Sequence, residues 1–134
     1  MTRTIQPKDI QPADIHHRDI QHIDDDECRR FQGSIELVGR RWSSAILLAM
    51  ARGADRFSEI VAVVPGLSDR LLSVRMKELE RAGLVEREVI ASTPVRVRYL
   101  LTARGADLMR SLQPLVGWGQ RWEEPIGQQE RDSA

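Results

Sequence analysis

Along the segment LSDRLLSVRMKELERA (Leu67–Ala82), apolar Leu72, Met76 and Leu79 recur at i, i+4 and i+7, the spacing of one buried stripe on a helix. Ser68 or Asp69 supplies a cap-type start and Gly83 a stop, so the pattern predicts a helix between them. With Leu72 as the origin of a helical wheel, Arg70, Ser73, Val74, Lys77 and Arg81 fall on the opposite face. The period then changes. Leu84–Ile90 and Val95–Leu101 are β-branched runs, and in the second Val95, Val97, Tyr99 and Leu101 alternate with Arg96, Arg98 and Leu100. Ser92-Thr93-Pro94 joins the two as a turn, which predicts a hairpin carrying Arg96 and Arg98 on a single face.

Upstream, Cys28, Phe31, Ile35 and Val38 form the stripe of a first helix over about Asp26–Val38. A second helix covers about Trp42–Arg52 and ends at Gly53; a short third covers Phe57–Val63, and Val64-Pro65-Gly66 is the turn into the fourth. A final helix starts near Thr102. In it Leu101, Gly105, Leu108, Leu112, Leu115, Gly119 and Trp122 alternate spacings of four and three, a seam suited to a partner helix or to the body of the same chain. Pro114 should kink this helix or divide it in two. The fold class is therefore mainly α with a small β-hairpin (α+β): a winged helix-turn-helix, dimeric through its terminal helices.

Such a helix face offers cations for phosphates, donors for base edges and a methyl-bearing side chain for thymine, which is what entry into a major groove requires. Arg96 and Arg98 on a wing suit a phosphate backbone or a minor groove. Each feature alone also fits an ordinary solvated surface; the helix and the wing in this order point to double-stranded DNA. The expected DNA-binding residues are Arg41, Arg56, Ser68, Asp69, Arg70, Ser73, Val74, Lys77, Arg96 and Arg98. Arg70, Ser73, Val74 and Lys77 would face the groove, whereas Arg41, Arg56 and Arg75 suit backbone contacts or internal braces. A homodimer reading a pseudo-palindromic operator would pair Phe31, Ile35, Leu108, Leu112, Leu115, Trp118 and Trp122 with a second copy.

These residues resemble the HxlR-type winged helix-turn-helix transcriptional regulators. The resemblance runs from Cys28 to about Glu124. It rests on Cys28 opening a helix, LVGRRW (Leu37–Trp42), Arg56-Phe57-Ser58-Glu59-Ile60, the segment Pro65–Arg87, the segment Pro94–Gly105, and Trp118-Gly119. It departs from the family at Arg29, where a proline usually follows the cysteine, at Arg40 in place of a glycine, and at Pro114. ArsR-type metal ligands are absent. The resemblance implies a transcriptional regulator in which Cys28 is a candidate thiol sensor. Arg29 and Arg30 favour thiolate reactivity there, while Asp24, Asp25, Asp26 and Glu27 oppose it. The alternative reading is a small apolar side chain packed in a dimer core.

Charge alters the picture only when divided. The whole chain is formally neutral, but residues 1–27 carry three basic and seven acidic groups, residues 28–111 fifteen and nine, and residues 112–134 two and four. The body is the basic part, as binding to a polyanion requires. At 134 residues and 41% hydrophobic content, one core is expected over 25–124, flanked by an arm at 1–24 and a flexible tail at 125–134. The arm holds pentads led by Ile5, Ile10, Ile15 and Ile20, a period matching neither helix nor strand, and reads as disordered or docked on a partner. His16, His17 and His22 lie there with poor spacing for a metal. No apolar run is long enough for a membrane span or a signal peptide, and a single cysteine suits a reducing, cytoplasmic compartment. Neither catalytic constellation, cofactor motif nor metal site is expected. The remaining alternatives are a winged-helix protein-interaction module, or a regulator answering a small-molecule ligand with a structural Cys28.

Overall fold

A computed structural model describes Ile20 and residues 22–126. The pentads before Ile20, His16, His17 and most of the expected tail lie outside the described residues. The element order is α1 (Asp25–Gly39), α2 (Ser43–Ala51), α3 (Phe57–Val63), α4 (Asp69–Arg81), β1 (Val85–Ile90), β2 (Arg96–Leu101) and α5 (Ala103–Trp122). The chain divides into two compact units, one of Arg30–Ser111 and one built from the segments outside it.

Within Arg30–Ser111, the core forms where α2, α3, α4 and the start of β1 meet. Ile46, Leu47, Ile60, Leu72, Met76 and Leu84 are its largest fully enclosed side chains. α2 is apolar along almost its whole length and serves as the central pillar, with Ile46, Leu47, Ala49 and Met50 buried. Its entry is unusual, since Trp42 has φ 76°. A bulky residue in that left-handed region costs about 1–3 kcal/mol and persists only where its surroundings hold it. The indole is held: the Arg41 guanidinium lies 5.2 Å from the ring centroid, and on another contact Gly66 meets it closely. A Cβ at Gly66 would stand 3.2 Å from the indole, and φ there is 82°, so the turn between α3 and α4 calls for glycine twice over.

β1 and β2 pair antiparallel, with Val85 opposite Leu101, Arg87 opposite Tyr99 and Glu88 opposite Arg98. Tyr99 and Leu101 pack against the core, as their alternation predicts. Val95 departs from that pattern: it lies outside β2 and is 63% exposed, beyond the reach of the core edge. The hairpin base is locked to the start of α5. The Thr102 hydroxyl donates to the Gly83 carbonyl at 2.6 Å and accepts from the Gly105 N–H at 3.0 Å, while the Thr102 N–H donates to the Leu84 carbonyl at 3.0 Å. Arg104 donates to the Ala82 carbonyl at 2.6 Å. Gly105 is buried, and a Cβ on it would sit 2.1 Å from the Leu84 carbonyl oxygen.

Two expectations are corrected here. Leu101, Gly105 and Leu108 open the stripe expected to meet a partner helix, yet Leu101 and Leu108 pack against the core of their own unit and Gly105 admits the Leu84 backbone. Pro114 does not divide the last helix, which runs unbroken from Ala103 to Trp122. The missing proline N–H leaves the Arg110 carbonyl without its helical donor, on a residue whose exposure lets water replace it.

Candidate nucleic-acid interface

α4 is fixed from below and open above. Leu72, Met76 and Leu79 are buried, while Arg70, Ser73, Val74, Lys77 and Arg81 are exposed. The Ser68 side chain accepts from the Leu71 N–H at 3.1 Å and so caps the helix. Asp69 follows in the first turn, where a carboxylate complements the helix dipole. Ser68 and Asp69 thus have a structural use at the start of α4. Among the described residues, none of Arg70, Lys77 and Arg81 forms an ion pair, so their charge faces outward.

The neighbouring arginines divide into spent and available cations. Arg75 is spent. Its Nε donates to the Arg41 carbonyl at 3.1 Å and its Nη1 to Glu78 at 3.1 Å, with a side chain only 15% exposed. Arg40 adds a second cation to Glu78 at 3.0 Å. Arg40, one of the three departures from the resembled pattern, therefore links the approach to α2 with α4. Glu78 is the residue that sequence reasoning missed: Arg75 precedes it by three positions on α4, but Arg40 stands far along the chain. Arg41 is exposed, with its guanidinium on Trp42. Arg56 stands 3.7 Å from Glu59, an exposed pair of little energetic weight.

On the wing, Arg96 is exposed and forms no ion pair among the described residues. Arg98 differs: its Nε donates to the Asp55 carboxylate at 3.0 Å, and Glu88 is its direct cross-strand neighbour. The Asp55 carbonyl also accepts from the Tyr99 N–H at 2.7 Å. Asp55 thus clamps β2 to the residues that lead into α3, and Arg98 is part of the clamp.

In the other unit, Cys28 is exposed. Its N–H donates to the Asp24 carbonyl at 2.9 Å, and the Asp24 carboxylate caps the Glu27 N–H at 2.8 Å. Arg29, one of the two cations adjacent in sequence, is paired with Asp26. The expected apolar residues of the terminal helices are open to the surroundings. Phe31, 67% exposed, and Ile35, 48%, stand on the part of α1 that belongs to Arg30–Ser111; in the other unit Leu115, Trp118 and Trp122 of α5 are exposed and Leu112 is half-buried.

A buried-inside, cationic-outside helix following a tight turn, with an antiparallel hairpin behind it, defines a winged helix-turn-helix transcriptional regulator. The family described as HxlR-like helix-turn-helix matches residues 37–127, and the chain belongs to it. The match begins after Cys28. Among its relatives, an uncharacterized HTH-type transcriptional regulator of Bacillus subtilis, YvaP, is 43% identical over 98 residues, covering 73% of this chain and 91% of the relative. The B. subtilis HTH-type transcriptional regulator YodB is 37% identical over 98 residues, covering 73% and 88%. The reduced form of YodB superposes with a TM-score of 0.64 at 36% identity, over 72% of this chain and 94% of that one. The redox regulator HypR in its oxidized form gives 0.65 at 28% identity, over 72% and 99%. Among the described residues, no helix is long and apolar enough to cross a membrane.

Proposed function

We propose that this regulator is a cytoplasmic, non-enzymatic homodimer that binds a pseudo-palindromic operator through α4 and the wing. Arg70, Ser73, Val74 and Lys77 face the major groove in this reading, and Ser68 and Asp69 set the start of the helix against the duplex. Arg41, Arg56 and Arg96 meet the phosphate backbone; Arg98 acts chiefly by holding the wing through Asp55. The observation that carries the reading is the two-sidedness of α4, whose inner face is locked in the core while Arg70 and Lys77 stay unpaired among the described residues. Dimerisation is supported by the exposed Phe31 and Ile35 on α1 and the exposed Leu115, Trp118 and Trp122 on α5, apolar positions at the spacing of a helix seam that a second copy would cover.

Cys28 is the proposed switch. Its exposure supports this, as does likeness to YodB, whose diamide-treated and quinone-bound forms are known structures, and to the redox regulator HypR. The chain has one cysteine, so two-electron oxidation by diamide joins two Cys28 thiols from different copies, with the diamide reduced to its hydrazine. A small thiol in place of the second copy gives a mixed disulfide instead.

The test is fluorescence anisotropy on the duplex upstream of the protein's own gene, across a salt series, with reduced and diamide-treated protein. Binding should weaken as salt rises, and diamide should alter it in the native chain but not in Cys28→Ser. Identical binding before and after diamide makes Cys28 structural. Absence of salt-linked binding to any genomic duplex favours a protein-interaction module.

A further inference from the structure

The wing and the entry to α3 border an open groove of about 730 Å³, a size within the range of small-ligand sites. Phe57, Ile90 and Val97 line it, all half-buried, and give it an apolar wall. Arg56 and Arg96 line the same groove. Asp55 would repel an anion there, but its carboxylate is held at 3.0 Å by Arg98, and Arg56 has only an exposed, loose pairing with Glu59 at 3.7 Å, which leaves Arg56 and Arg96 to set the sign of the site. An apolar wall beside two guanidinium groups matches a ring bearing a carboxylate: the ring covers the aliphatic and aromatic side chains, and a guanidinium donates two parallel hydrogen bonds to the carboxylate oxygens.

We propose that this groove binds a small aromatic carboxylate of one or two rings. Such an occupant takes up Arg56 and Arg96, both placed on the DNA backbone in the reading above; that consequence rests on the DNA reading, whereas binding itself does not. The position between β2 and the entry to α3 also places the occupant beside the Asp55 clamp, so it acts on wing and helix-turn-helix together.

The experiment is a titration of the full ¹⁵N-labelled chain, without DNA, followed by amide shifts in NMR spectra. Sodium benzoate, 1-naphthoate, acetate and inorganic phosphate are added in separate arms at constant ionic strength. Benzoate or naphthoate should saturate shifts at Phe57, Ile90 and Val97 at least about tenfold more tightly than acetate or phosphate, roughly one decade per 1.4 kcal/mol of ring burial. Arg96→Gln should weaken both aromatic acids at least about fivefold, and Ile90→Ser should weaken them while leaving phosphate unchanged. Equal binding of phosphate and the aromatic acids overturns the proposal in favour of a site for charge alone. Shifts that fail to saturate, or that saturate away from these residues, overturn it as well. Because no duplex is present, such a failure leaves the DNA reading untouched.

Discussion

Two consecutive helices of this chain use their apolar residues in opposite ways. α2, nine residues long, buries four of them, Ile46, Leu47, Ala49 and Met50, whereas α1, fifteen residues long, buries none. The difference lies in what surrounds the apolar positions. α2 has apolar residues around most of its circumference and no charged one, so most of it is covered by its own unit and only Ser44, Leu48 and Ala51 stay exposed. In α1 the stripe of Phe31 and Ile35 is flanked by acidic and basic side chains that water solvates, so the helix forms with the stripe uncovered. α5 contains both behaviours along its length: Gly105 is buried at its start, and Leu115, Trp118 and Trp122 are exposed farther on. Apolar spacing thus identifies a face to be covered without saying whether the same chain covers it.

The comparison breaks most readily at its buried side. Leu47→Ala removes a fully enclosed side chain and should cost about 2–5 kcal/mol in urea unfolding; a cost below about 1 kcal/mol would mean that α2 is not the pillar. Gly105→Ala should cost about 1–3 kcal/mol, because its Cβ would meet a backbone oxygen that cannot rotate away. An unchanged unfolding midpoint would contradict that contact. Ser68→Ala should cost about 1 kcal/mol through loss of the cap on Leu71. A Ser68→Asp variant, which can still accept that bond, should recover most of the loss. Phe31→Glu should change the stability of the dilute single chain by less than about 0.5 kcal/mol. In the native chain, Tm should rise with protein concentration as a second copy covers the stripe, and Phe31→Glu should flatten that dependence. A native Tm independent of concentration would remove the argument for a dimer.

Much of this organisation was legible in the chain. Leu72, Met76 and Leu79 mark the inner face of α4, and the third helix is found over Phe57–Val63 as its apolar run predicts. Periodicity reports faces and breaks, and those are local properties. It does not report partners. Arg96 and Arg98 share a strand face, yet Arg98 is occupied by Asp55, forty-three residues away, and Arg96 is not. Glu78 shows the same limit, since its two cations come from α4 itself and from the approach to α2. Gly105 fits the spacing of an interhelical seam as well as it fits a close backbone approach, and only the position of the Leu84 carbonyl separates the two. Cys28, in phase with Phe31 and Ile35, reads equally as an enclosed side chain or an accessible thiol; it is exposed, as is the stripe to which it belongs.

The central claim, that the outer face of α4 reads a base sequence, is tested most directly by anisotropy titrations of the native chain, Arg70→Ala and Lys77→Ala. The targets are the duplex upstream of the protein's own gene and its single-base-pair variants, at several salt concentrations. Arg70→Ala should flatten the preference at one base pair by about 1–3 kcal/mol, and Lys77→Ala should weaken every duplex alike and reduce the salt slope by about one. Equal losses for both variants on all duplexes would contradict base reading by this face.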